Sequence, residues 1–279
     1  MINLTEMIKH IKKETYTKKD LKKFQKKRLQ KEKTGWTMTL ANDWNEKISN
    51  NLRDAINWFE GDEVRGILGK KKTLCFDPVW NVAFPAATHS GRKIIINTYY
   101  VLAAAGQLFP EKSLRYNRDC ALFTLAHEKN HEDMFWHYVR IKADVWFNAG
   151  LVKKADMLLC IPKKLLGKCE RNLTLWCEEC RSDIMASRKL KEILGSNITN
   201  GYIAELMHDR ERYEQNPFKD GVEHPSRHFR SELVIEGKWN EMVIDKIAKH
   251  FCLATGKDME ETQLELDIIK VVYRAKNCF

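Results

Sequence analysis

The sequence predicts an α+β fold, mostly helical with one small mixed sheet. Two observations carry this expectation. Three short β-prone runs, Leu74–Phe76, Val79–Phe84 and Lys93–Asn97, are separated by Asp77-Pro78, Pro85 and Ser90-Gly91. Beyond residue 97 apolar residues recur at helical spacing almost to the end of the chain. Strands followed by helices is the element order of an α+β domain. A chain of 279 residues, 43% hydrophobic with eight Trp, has enough apolar surface for a sizeable core.

The chain opens on a basic arm, residues 1–35. Leu4, Met7, Ile8 and Ile11 form one helical stripe, and Leu21, Phe24 and Leu29 a sparser one. Residues 1–33 hold twelve Lys/Arg against four Asp/Glu, a net of +8 out of the chain's +10, so the body is nearly neutral. Such an arm suits nucleic acid or an acidic partner, or is simply a solvated helix face. Trp44, Ile48, Leu52, Ala55 and Phe59 then mark an amphipathic helix, which Gly61, Gly66 and Gly69 interrupt. After the β-prone runs, helices are predicted at about 98–106, 117–147, 171–193, 199–214, 228–235, 239–254 and 258–276. Residues 215–227, with Pro217, Gly221 and Pro225, read as a long polar loop.

No run approaches the ~18 uninterrupted apolar residues of a membrane span, and Met1–His10 lacks the apolar stretch of a signal peptide. Eight cysteines, Cys75, Cys120, Cys160, Cys169, Cys177, Cys180, Cys252 and Cys278, are spread along a chain with its own core. That distribution predicts free thiols in a reducing compartment, the cytoplasm.

Chemistry concentrates in "TLAHEKNHEDMFWH", residues 124–137, where three histidines and three carboxylates fall within fourteen positions. His127-Glu128-Lys129-Asn130-His131 matches H-E-x-x-H. On a helix His127 and His131 stand about 40° apart on one face, where two imidazoles can hold one Zn²⁺. Glu128 then points beside the ion and can accept a proton from a water. A third ligand is required, and two places offer one. His137 has the metzincin spacing, but it needs a sharp turn after His131 where Met134 replaces the usual Gly. In "LWCEECRSDIMASR", residues 175–188, Glu179 and Asp183 share a helical face that Ala186 continues. There Glu179 would bind the metal, and Asp183 would hydrogen-bond the outer nitrogen of a ligand histidine.

These motifs occur in a familiar order: H-E-x-x-H, then Glu179-x-x-x-Asp183 about fifty residues on, then His224-Pro225-Ser226-Arg227-His228-Phe229-Arg230. The pattern resembles the gluzincin zinc metallopeptidases of the CAAX prenyl protease and HtpX type and their soluble relatives, the minigluzincins. "NVAFPAATHSGRKIIIN", residues 81–97, is similar to the family's stretch before the active-site helix. The resemblance spans about 79–232. A zincin-like domain is accordingly expected over 36–236; the basic arm and a helical extension over 237–279, expected to pack on that domain, have no counterpart in the family. The resemblance implies one Zn²⁺ per chain on His127, His131 and Glu179, Glu128 as general base and Asp183 behind a ligand. His224 and Arg230 would stabilise the oxyanion, and Ile94, Ile95, Ile96 and Asn97 would form an edge strand that pairs with a peptide or protein substrate. The chain departs from the family in its lack of transmembrane helices, in Lys129 and Asn130 within the motif, and in Ser182 before Asp183.

Two rival readings accompany this one. Cys177-x-x-Cys180, with Cys160 and Cys169 upstream, suggests a structural zinc or redox pair, but its spacing fits packing thiols better. A zincin-like scaffold with a structural zinc, binding nucleic acid or an acidic partner without hydrolysis, is the alternative to an enzyme.

Overall fold

The computed structural model describes residues 2–3, 55, 57–59, 61–68, 73–76, 88–89, 93–96, 98–148, 173–210, 216–221 and 224–275. The basic arm, apart from Ile2 and Asn3, lies outside them, as do Asn97 and the run Val79–Phe84. Eight helices are described: α1 Asp62–Leu68, α2 Thr98–Ala104, α3 Leu114–Asn148, α4 Leu173–Leu194, α5 Asn200–Arg210, α6 Arg227–Glu236, α7 Glu241–Thr255 and α8 Met259–Ala275.

The α+β expectation is corrected. Among residues whose side chains are described, 77% are helical and none lies in a strand. Every described core residue sits on a helix or beside one. Among the described residues, pairing is confined to short backbone segments, β1 Ile2–Asn3, β2 Thr73–Phe76, β3 Thr88–His89 and β4 Lys93–Ile96, in the order β1-β2-β4-β3. The β-branched runs correctly mark extended backbone. Local propensity does not say which elements supply the core, and here helices supply it.

The expected substrate strand changes with this order. β4 pairs along its whole length with β2, in parallel, and β3 covers Lys93 and Ile94 from the other side. Ile94 is therefore an interior position, and only Ile95 and Ile96 keep one unpaired side among the described residues.

The chain divides into two units. The first comprises residues 1–129, 192–195 and 209–213. Tyr99, Tyr100, Phe109, Phe123 and Leu125 are buried in it. Asn117 fastens the turn before α3, donating to the Phe109 carbonyl at 3.0 Å and accepting from its N–H at 2.7 Å. Tyr116 donates to Asp209 at 2.6 Å.

The second unit comprises residues 130–191, 196–208 and 214–279. Its core joins Leu173, Trp176, Cys177, Cys180 and Ile184 of α4 to Phe229 and Leu233 of α6, Ile244, Ile247 and Phe251 of α7, and Leu266, Ile269 and Tyr273 of α8. The C-terminal helices thus share one core with α4. The Glu265 carboxylate on α8 also accepts from the Thr174 N–H at 3.1 Å and its hydroxyl at 2.7 Å, capping the start of α4.

Boundaries in this unit follow capping chemistry. The Ser226 hydroxyl accepts from the Phe229 N–H at the start of α6, and the Asn240 side chain from the Val243 N–H at the start of α7. Gly237 and Gly256 end those helices at φ +67° and +72°, in the left-handed region that glycine enters without a Cβ penalty.

Candidate metal centre

Helix α3 runs unbroken from Leu114 to Asn148 because it contains neither Pro nor Gly. His127 and His131 therefore occupy successive turns of one continuous helix. The backbone makes no turn after His131, so the bend that His137 requires as a ligand is absent.

Glu179 comes from α4, a helix that buries polar Glu178, Ser182 and Asp183 as well as apolar Trp176 and Cys177. One donor atom each from His127, His131 and Glu179 lies within 4.8 Å of the others, a group that could hold a metal ion. His127 is buried, and His131 and Glu179 are partly exposed. His131 Nε2 stands 3.1 Å from Glu179 Oε1, close to the separation of two ligands bonded to one ion at ~2.0–2.2 Å.

The surrounding groups fix the ligand atoms. Glu178 Oε1 and the Ser182 hydroxyl both stand 3.4 Å from His131 Nδ1. A partner on Nδ1 leaves Nε2 as the nitrogen that faces the site. Glu178 was not expected from the sequence, since it lacks an acidic residue one turn on. The signal was its adjacency to Glu179, which brings both carboxylates to the two nitrogens of a single imidazole.

Glu179 is held in the same way. Its Oε2 faces His224 Nε2 at 3.1 Å and the Arg230 guanidinium at 3.6 Å, which leaves Oε1 for the site.

Asp183 and Arg230 meet each other beside the site. Asp183 is 0% exposed and Arg230 1%. Arg230 Nε donates to Asp183 Oδ2 at 2.7 Å, and a terminal nitrogen of the same guanidinium stands 2.7 Å from that oxygen as an ion-pair contact. Asp183 thus holds Arg230, and Arg230 reaches on to Glu179. His224, 45% exposed, is the more accessible of the two groups that face Glu179 Oε2. Removing one partner from a buried ion pair costs ~3–5 kcal/mol, whereas an apolar pair in its place is often tolerated. Arg230→Met should accordingly lower the unfolding free energy by that amount, read as a lower urea midpoint, and adding Asp183→Leu should recover most of it. A lone Arg230→Met with an unchanged midpoint would show that the pair does not hold this corner of the fold.

In the metal-free protein, burial acts against charging His131 and is the strongest single influence. Glu179 and Glu178 together outweigh it and raise the imidazole pKa well above 6.5. A metal needs the free Nε2 lone pair, so binding must expel a proton. Metal affinity should therefore rise with pH from acid through neutrality, until pH passes the raised pKa. Calorimetry in buffers of different ionisation enthalpy checks this at pH 7: about one proton released per ion is expected, and none released contradicts the assigned partners.

Cys177 and Cys180 are buried free thiols in the helical core. Burial pushes both pKa values well up, so the thiols stay protonated, which suits packing rather than ligation.

No protein family, curated protein or solved structure matches this chain. The assignment of the site accordingly stands on its donors and their geometry. No described helix is long and apolar enough to cross a membrane.

Proposed function

We propose that the chain is a zinc-dependent metallopeptidase of gluzincin type, with His127, His131 and Glu179 as ligands. The observation that carries this reading is the convergence of one donor atom from each of these residues within 4.8 Å, from a sequence in which two of them frame Glu128 in H-E-x-x-H. The donor set, two imidazoles and a carboxylate, is that of catalytic zinc with a coordination position left open. Four buried free thiols, Cys120, Cys177, Cys180 and Cys252, fit a reducing compartment, the cytoplasm.

A bound zinc ion supplies Lewis-acid chemistry, polarising a peptide carbonyl and lowering the pKa of a water toward ~7. Glu128, partly exposed and next to His127 on α3, takes a proton from the attacking water and passes it to the departing amine. The water oxygen bonds to the carbonyl carbon, and the C–N bond breaks. His224 donates a hydrogen bond to the oxygen that becomes negative. Glu178 and Ser182 orient His131, while Arg230 and Asp183 fix Glu179.

The test is cleavage of a mixed peptide library, followed by mass spectrometry, with and without a chelator. Cleavage that stops on chelation and returns on adding zinc is expected. No cleavage by the zinc-loaded protein, or cleavage indifferent to the chelator, overturns the proposal.

A further inference from the structure

We propose that His250 and Asp220 form a latch that positions His224 against Glu179, a role that rests on the reading of Glu179 as a metal ligand. His224 lies in a loop between Pro217 and α6, and that loop is closed at three points. The Gly221 N–H donates to the His224 carbonyl at 2.9 Å, and the His228 N–H to the Pro217 carbonyl at 2.9 Å. The Asp220 carboxylate accepts from the Ser226 N–H at 2.7 Å. The same Asp220 oxygen also faces His250 Nε2 at 2.9 Å, and because a carboxylate cannot donate, Nε2 carries the hydrogen.

His250 ties this knot to the rigid core. Its ring lies flat on Phe229, centroids 4.1 Å apart with planes at 6°. It also stands 5.8 Å from the ring of Trp176. Trp176 is fully buried on α4, three residues before Glu179. The contacts therefore make a circuit: from α4 through Trp176 and His250 to Asp220, along the loop to His224, and back to α4 at Glu179. Backbone bonds close the loop on itself, but His250 fixes where the closed loop sits. Without it, the loop that carries the half-exposed His224 loses its side-chain tie to α7. Displacement of a donor by about 1 Å is enough to cost ~100-fold in rate.

Two variants test the latch in the full chain. His250→Phe keeps an aromatic ring on Phe229 and removes the bond to Asp220, and Asp220→Ala removes that bond from the other side. Three readouts apply: amide hydrogen exchange at Gly221 and Ser226, the NMR signals of the His224 ring, and kcat with KM on a cleaved peptide. In His250→Phe, exchange at both amides should quicken at least ~10-fold, while Ile247 and Phe251 on α7 stay within about twofold. His224 ring signals should move to solvent-like positions, and kcat should fall ~10- to 100-fold with KM little changed. Asp220→Ala should reproduce the pattern, and the double variant should add little, since both act through one bond. Unchanged His224 signals and unchanged exchange at Ser226 in His250→Phe overturn the latch. If the zinc-loaded wild type cleaves no peptide, the proposed activity fails, and the NMR and exchange results still decide the latch.

Discussion

Glu179→Ala is expected to weaken zinc binding by more than ~100-fold, beyond the 10- to 100-fold typical of losing an outer hydrogen-bonding partner. The substitution removes a ligand and leaves His131 Nε2 without the oxygen at 3.1 Å. Glu178→Ala, by contrast, should fall within ~10- to 100-fold, because Glu178 addresses His131 Nδ1 and orients the ring without touching the ion. The sequence alone predicts almost no effect at Glu178, on the ground that adjacent helical residues point ~100° apart and only one faces the metal. That reasoning holds for the ion but overlooks the histidine, whose two nitrogens lie far enough apart to meet both carboxylates. Competition with a chelator separates the cases. A stronger effect at Glu178 than at Glu179 would mean that the register of α4 is wrong.

Glu128→Gln should lower peptide hydrolysis ~10²- to 10⁴-fold while leaving zinc content and thermal stability unchanged. General-base catalysis is worth that range, and an amide of the same shape cannot take the water's proton. Glu128 is also not one of the three converging donors. Turnover within threefold of wild type would remove Glu128 from the chemistry, and loss of zinc together with activity would assign it to the site's architecture instead.

The candidate site was more legible than the fold class. Helix α3 could be read from a stretch without Pro or Gly, and the four-residue spacing of His127 and His131 follows from helical geometry. Glu179 stood out through Asp183 one turn on, although the inferred reason was incomplete. Asp183, expected behind a ligand histidine, is the partner of the buried Arg230. That contact is tertiary, and periodicity shows which residues share a face and not which element meets that face. The same limit governs the sheet. Leu74–Phe76 and Lys93–Asn97 have strand-like composition, and backbone pairing occurs at Thr73–Phe76 and Lys93–Ile96. Yet the described side-chain core is helical, because α4, α6, α7 and α8 bury their apolar faces on one another. The two C-terminal helices, read from the sequence as an extension packed on the domain, place Phe251, Leu266 and Tyr273 in the core that supports α4.

Zinc stoichiometry, measured by elemental analysis and chelator competition on the wild type, His127→Ala and His131→Ala, tests the metal centre most directly. One tightly held ion per wild-type chain, and its loss in each single variant, is the expected result. Full occupancy at unchanged affinity in both variants would show that the three converging side chains do not hold the metal.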